Sequence, residues 1–263
     1  MKKLKSLTHL LGFSALAMAS QTALATCDEI IAYYTPAVLT VVGEADNGGY
    51  GLPMWLAAVD ETGKLCGIIN SGGSGAAIGN KSWLGSRVIA IQKASTANAF
   101  SLDAFSISTA NLYGLTQPGG SLYGLQASNP VDASIAYLGA PETYGTGSDP
   151  LIGKRVGGIN VFGGGLALYN ALGIKIGAIG VSGDTSCTDH AVAWKMRHLM
   201  GLDNVPGGFI SDYTPALSFR VRGDEMIIGT GNVANTYKQV SCAHNKINNP
   251  TEGAATGVII EKQ

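Results

Sequence analysis

Charge is what this sequence has least of. Asp, Glu, Lys and Arg make up 13% of its 263 residues, about half the usual share of a soluble domain. No run of basic residues occurs and the net charge is −1. The electrostatic footprint of a nucleic-acid-binding chain is therefore missing. Histidine is scarce too, with four in all. There is no C-x-x-C pair, which argues against a four-thiolate metal site. No apolar run approaches the ~20 residues that a membrane-spanning helix needs. There is no internal repeat and no low-complexity tract. The Gly/Ser/Ala-rich stretch Ser71–Gly79 lacks the G-K-[ST] ending of a phosphate-binding loop and reads as a flexible connection. Val181-Ser182-Gly183 is not a nucleophile elbow, because Ile179 stands where G-x-S-x-G requires its first glycine. Asp184 and Asp189 lack the further carboxylates that would complete a metal cluster.

What is present begins with a leader. Lys2, Lys3 and Lys5 precede a short apolar run, Leu10 to Ala19, and Ala23-Leu24-Ala25 is an A-x-A cleavage site. Residues 1–25 read as a secretory signal peptide, which predicts a periplasmic or secreted protein with no membrane span in the mature chain. Removing 25 of 263 residues, three lysines among them, leaves 238 residues and a net charge of −4. Three histidines remain: His190, His198 and His244. So do four cysteines, Cys27, Cys66, Cys187 and Cys242, an even number that suggests disulfides in an oxidising compartment. Of the three connectivities we prefer Cys27–Cys66 with Cys187–Cys242, the latter stapling the C-terminal part to the core. With 46% hydrophobic residues against so little charge, much surface is expected to be buried, some of it between subunits.

Apolar spacing then sets out the elements. Asp28 to Ala45 reads as a first helix, with Pro36 either kinking it or opening it. Met54–Val59 and Leu65–Asn70 form an antiparallel hairpin, too closely spaced for a parallel crossover. Ser82–Leu102 is a long central helix, with Arg87 and Lys93 near the edges of its buried side. Tyr113–Pro150 shows little periodicity. Ile159–Phe162, Leu166–Tyr169 and Lys175–Ser182 read as strands, the last so punctuated by glycine that it should have close neighbours. A helical period starts near Thr188, after the capping residues at 184–186. Leu217–Arg222 and Glu225–Ile228 read as a hairpin around Gly223-Asp224, and Gly257–Ile260 as a final short strand.

Four segments resemble, in order, the GlcG/HbpS family of haem-binding or haem-degrading domains. They are Ala57-Ala58-Val59-Asp60 with Gly63; Lys93-Ala94-Ser95-Thr96-Ala97, similar to the family's K-A-x-T-A; Gly157-Gly158; and GAIGVSG at 177–183 followed by Asp189. The resemblance implies an α/β fold of α+β type, an antiparallel sheet of about five strands flanked by helices, and a homo-oligomer. It divides the chain into a leader at 1–25, a core at 26–202 and a C-terminal extension at 203–263 packed on the core. It places the rim of the ligand pocket in the segment before Gly157. It also implies haem or a related tetrapyrrole as the ligand, and allows slow haem-degrading or peroxidase-like reactivity on what is first a binding protein. A covalent c-type haem is excluded, since no C-x-x-C-H occurs.

The residues that suit such a ligand are few. His190, Trp194 and Arg197 share one helix face at i, i+4 and i+7. Together they offer axial ligation of iron, ring stacking and a salt bridge to a propionate; the same trio suits a subunit interface. His190, near the helix N-terminus, is the candidate metal ligand. His198 lies eight positions on, about 12 Å along the axis, and reads as a cationic cap. Met196 and Met200 belong to the apolar stripe with Val192, Ala193 and Leu199. In the K-A-x-T-A segment, Lys93 and Thr96 are candidates, Lys93 as a cation for a ligand carboxylate or as a snorkelling interface lysine. Ser182 and Gly183 offer backbone N–H groups to an anion, unless the neighbouring residues merely cap the helix. The alternative function is a binding or assembly module for a small organic acid or a corrinoid.

Overall fold

The structure is a computed structural model and describes residues 27–28, 30–31, 40–44, 47–206, 224, 226–228, 238–239 and 258–260. The expected leader at 1–25, Cys242 and His244 lie outside the described residues, as does Leu217–Arg222. Of the expected first helix, 28, 30–31 and 40–44 are described; 28, 30–31 and 40–41 are helical, and 42–44 have already left the helix.

Four strands make the main sheet: β1 (Trp55–Asp60), β2 (Leu65–Asn70), β3 (Gly165–Tyr169) and β4 (Lys175–Ser182). Their order is β2-β1-β4-β3, and every pairing is antiparallel. Both faces are covered, so the strands are apolar throughout instead of alternating. On one face Trp55, Ala57, Val59 and Ala178 pack against Val88, Ile91, Ala94 and Ala97 of helix α1 (Gly85–Phe100). On the other, Leu56, Ala58, Leu166, Ile179 and Val181 pack against Val192, Ala193 and Met196 of the later helix Ser186–Leu199. Between them lie α2 (Thr109–Leu115), α3 (Leu125–Ser128) and α4 (Ala133–Ala136), so Ser186–Leu199 is α5. The architecture is α+β, in three layers.

The glycines of β4 have the close neighbours that their spacing predicts. A Cβ at Gly180 would run into the Ala90 carbonyl and come within 2.5 Å of the Ala94 amide nitrogen. Helix α1 thus lies directly on the sheet backbone, and that approach brings the K-A-x-T-A segment against β3 and β4.

The sheet has four strands where about five were expected. Ile159–Phe162 is apolar enough for a strand but is not one. Side chains satisfy its backbone. Asn160 N donates to Thr96 Oγ1 at 3.1 Å, Phe162 N donates to Asn160 Oδ1 at 3.1 Å, and the Thr109 hydroxyl donates to the Phe162 carbonyl. Edge strand β3 is shielded in the same manner: Gly165 N donates to Thr109 Oγ1, Arg197 donates to the Ala167 carbonyl, and Tyr169 N donates to the Leu202 carbonyl.

A second sheet joins β5 (Met226–Ile228), β6 (Lys238–Gln239) and β7 (Val258–Ile260) in the order β6-β5-β7. Both pairings are parallel. The final strand falls where the sequence places it. Cys27 and Cys66 form a disulfide, and Cys187 is disulfide-bonded as well. Among the described residues no helix is long and apolar enough to cross a membrane.

Candidate functional site

The α5 trio does come together. Thr185 caps the helix, its side chain accepting from Thr188 N. The His190 and Trp194 rings stack at 6.2 Å between centroids, 26° apart. The Arg197 guanidinium lies over the Trp194 ring, 4.8 Å from its centroid. In chemical type these groups fit a haem. In placement they do not fit as they stand, because His190 and Arg197 are both 0% exposed. Arg197 is already neutralised by a two-pronged pair with Asp224. Met226 closes the same region: a Cβ at Gly163 would collide with the Met226 methyl and lie 3.2 Å from His190 Cβ. His198 is exposed and bonds Asp203 at 2.7 Å rather than capping helix carbonyls. Of the apolar stripe, Val192, Ala193, Met196 and Met200 are buried, whereas Leu199 is exposed.

Lys93 is neither at a helix edge nor open to a ligand. Its ammonium is buried, 2.7 Å from Asp189 Oδ2, and donates to the Val181 carbonyl at 2.9 Å. It ties α1 to α5 past Gly164, where a Cβ would stand 3.2 Å from Lys93 Nζ. Arg87 is likewise buried, paired with Asp149 and stacked over Tyr144 at 3.8 Å. Thr96 holds Asn160, as described. Ser182 is buried at the end of β4, and Gly183 is pressed against Pro53 and Met54. The N–H groups beyond them are taken. Asp184 N donates to Asp189 Oδ1 at 3.0 Å, and Thr185 N to Asp184 Oδ1 at 2.6 Å. The amides of Asp184 and Thr185 thus serve the chain's own carboxylates. The Asp184 carboxylate also accepts from Tyr50 N and Leu52 N, beside a cavity of about 340 Å³. Cys27, Asp60 and Cys66 lie within 4.8 Å of one another, but the disulfide removes the thiolates a metal would need.

Burial pushes the Asp189 carboxyl up to about 6, even with the Lys93 ammonium beside it. Burial also lowers the pKa of Lys93. A carboxyl raised in the folded state contributes stability that is complete below its unfolded pKa and is lost as pH rises through the folded one. We therefore expect a stability component that declines between about pH 4 and pH 6. Urea titrations across this range should show it in the wild type and not in Lys93→Met/Asp189→Asn; parallel pH profiles would assign it elsewhere.

The open site is elsewhere. Three of the four motif segments meet at one groove of about 660 Å³ between the β1–β2 turn, α1 and the chain before β3. The turn contributes Thr62 and Gly63, the K-A-x-T-A segment Ser95, followed by Asn98, and the third segment Gly157 and Gly158. Asn129 and Pro130 add a wall from the aperiodic segment, where a rim was expected. Asp60 builds the turn by accepting from Thr62 N, Thr62 Oγ1 and Lys64 N. The turn in turn holds Arg155, whose Nε donates to the Thr62 carbonyl at 2.7 Å and whose Nη2 donates to Thr62 Oγ1 at 2.5 Å. Gly158 has φ +81°, and a Cβ there would collide with the Gln92 amide. Gly158→Ala should thus distort the groove, with loss of ligand binding ahead of loss of fold, read by titration beside thermal melting. Sequence reasoning passed over Arg155, Ser95 and Asn98. The signal available for them was the order of the motifs, which frames all three.

The family model described as "Haem degrading protein HbpS-like" matches residues 39–197, more than half of the chain. Similar solved structures include Klebsiella pneumoniae ORFY of the DUF336 family model, at 22% identity over 67% of this chain and 90% of that one, TM-score 0.44. A PduOC–haem complex is similar at 22% identity over 66% and 94%, TM-score 0.43. HbpS is similar at 15% identity over 74% and 99%, TM-score 0.41. No curated protein matches. With its four motif segments in order along β1, α1, the chain before β3 and β4, and the family model running from residue 39 to the last turn of α5, this chain belongs to the HbpS-like haem-degrading protein family.

Proposed function

We propose that this protein is an exported binding protein for haem or a related tetrapyrrole, and that the ligand sits in the groove along α1. The observation that carries this reading is the meeting of three family motif segments at one open groove, with Arg155 fixed at its wall. Arg155 would take a propionate, and Ser95 offers a further hydrogen-bonding group. Haem would bring its own iron and redox chemistry. Among the described residues no His, Cys, Met or Tyr lines the groove, so its fit is to the carboxylates and body of the ligand. That composition also keeps a second reading, a small organic acid held by the same arginine.

Export is supported by the leader and by the Cys27–Cys66 disulfide. Assembly into a homo-oligomer is part of the proposal, supported by large apolar side chains left exposed at Trp83, Leu102, Tyr123 and Tyr137; light scattering of the purified protein measures it. The function itself is tested by haemin titration of the full mature chain. Saturation at one haem per chain is expected. Arg155→Ala should weaken it roughly tenfold or more, the scale of a lost charge-assisted hydrogen bond. Absorbance that never saturates, or that ignores Arg155→Ala, overturns the assignment to this groove.

A further inference from the structure

The His190–Trp194–Arg197 face has the parts of a binding site, and the chain itself fills it. Arg197 is fully buried and presents two nitrogens to the two carboxylate oxygens of Asp224. This is the geometry with which arginine recognises a ligand carboxylate. Its Nε is buried with no hydrogen-bond partner among the described residues. Beside the guanidinium lies the stacked pair of rings. Asp224 and Met226, which cover this face, come from beyond residue 197, where the family match ends. Strand β5 has three residues, and its neighbours β6 and β7 have two and three. Strands so short are marginal by themselves.

We infer that the segment carrying Asp224 and Met226 is an internal occupant of a second ligand face on α5, and that a flat aromatic carboxylate takes this face by displacing it. The exchange is balanced in charge, because the incoming carboxylate replaces that of Asp224 on Arg197. The aromatic body replaces Met226 beside His190 and Trp194. A ligand must then overcome the closed population, so its apparent affinity is reduced by the fraction of chains that are open. The inference does not depend on the groove along α1.

The test uses the full mature chain with iron-free protoporphyrin IX as the probe. Hydrogen exchange of the amides at 226–228 is measured with and without saturating porphyrin. Exchange there should rise about tenfold on loading. In parallel, Asp224→Asn should tighten porphyrin binding about tenfold, while Arg197→Met/Asp224→Leu, which closes the face without an arginine, should abolish that gain. Unchanged exchange at 226–228 overturns the inference whatever else binds, and so does a double variant that binds as tightly as Asp224→Asn. If Asp224→Asn fails to fold, the wild-type exchange measurement decides alone. Arg155→Ala separates the two sites, since it weakens binding in the groove and leaves the exchange response at 226–228 intact.

Discussion

Lys93→Met is expected to lower stability by about 3–5 kcal/mol, the cost of leaving one member of a buried ion pair without the other. The reason lies in how Lys93 is placed. Its backbone carbonyl faces Gly165 of β3, and its ammonium meets Asp189 and the Val181 carbonyl where solvent does not reach. Methionine refills the methylene volume, so packing changes little and the loss is electrostatic. Asp189 then remains buried, with only the Asp184 amide among the described donors to its carboxylate. The same loss should shrink toward pH 5, because a carboxyl already raised to about 6 escapes the penalty by taking a proton. Adding Asp189→Asn removes the charge and keeps an acceptor for Asp184 N, so Lys93→Met/Asp189→Asn should recover much of the stability. Urea unfolding at pH 8 and pH 5 reads all three quantities. A Lys93→Met loss below 1 kcal/mol at pH 8, or one that grows at pH 5, would show that the pair is not what joins α1 to α5.

That pair also marks where the sequence stops being legible. The elements of the core could be read because each has a single period: the β1–β2 hairpin, the glycine-punctuated β4, and the helices α1 and α5. The glycines of β4 even announced that something lay close, though not that it was the Ala90–Ala94 turn of α1. Burial of Arg87 and Lys93 was not legible. On a helix wheel a charge reads as exposed, and the acids that make burial tolerable, Asp149 and Asp189, lie 62 and 96 positions away. Ile159–Phe162 misled for the opposite reason, since its apolar side chains say strand while Thr96, Thr109 and Asn160 take up its backbone. The α5 trio was legible as a face, because i, i+4, i+7 is a local pattern. Its cover was not, because Asp224 arrives from 27 residues further along. The groove escaped notice because no period points to it: Arg155 belongs to no element and is placed by Thr62, 93 positions earlier.

Removing the Cys27–Cys66 bond by Cys27→Ser/Cys66→Ser is expected to cost about 4 kcal/mol. The bond closes a loop of 39 residues, and chain entropy for a loop of that length gives this magnitude. Native contacts decide how the loss shows itself. Cys66 lies in β2, the edge strand opposite β3, and the segment before it in sequence is held there by more than sulfur. Ile30 is fully buried in the α5-side core, and Ile31 fills the space over Gly67, where a Cβ would come within 2.5 Å of its Cδ1. If those apolar contacts hold without the bond, the loss is purely entropic: the urea midpoint falls and the slope of the transition stays unchanged. If they do not, 27–31 leaves the sheet, the buried area shrinks, and the slope falls with the midpoint. Serine substitution is preferable to reductant, because reductant also opens the disulfide at Cys187. A loss under 1 kcal/mol with an unchanged slope would mean that the Ile30 and Ile31 contacts alone order this segment. The disulfide would then not be a support of the fold. The full loss would make an oxidising compartment a condition for stability, in keeping with the export proposed above.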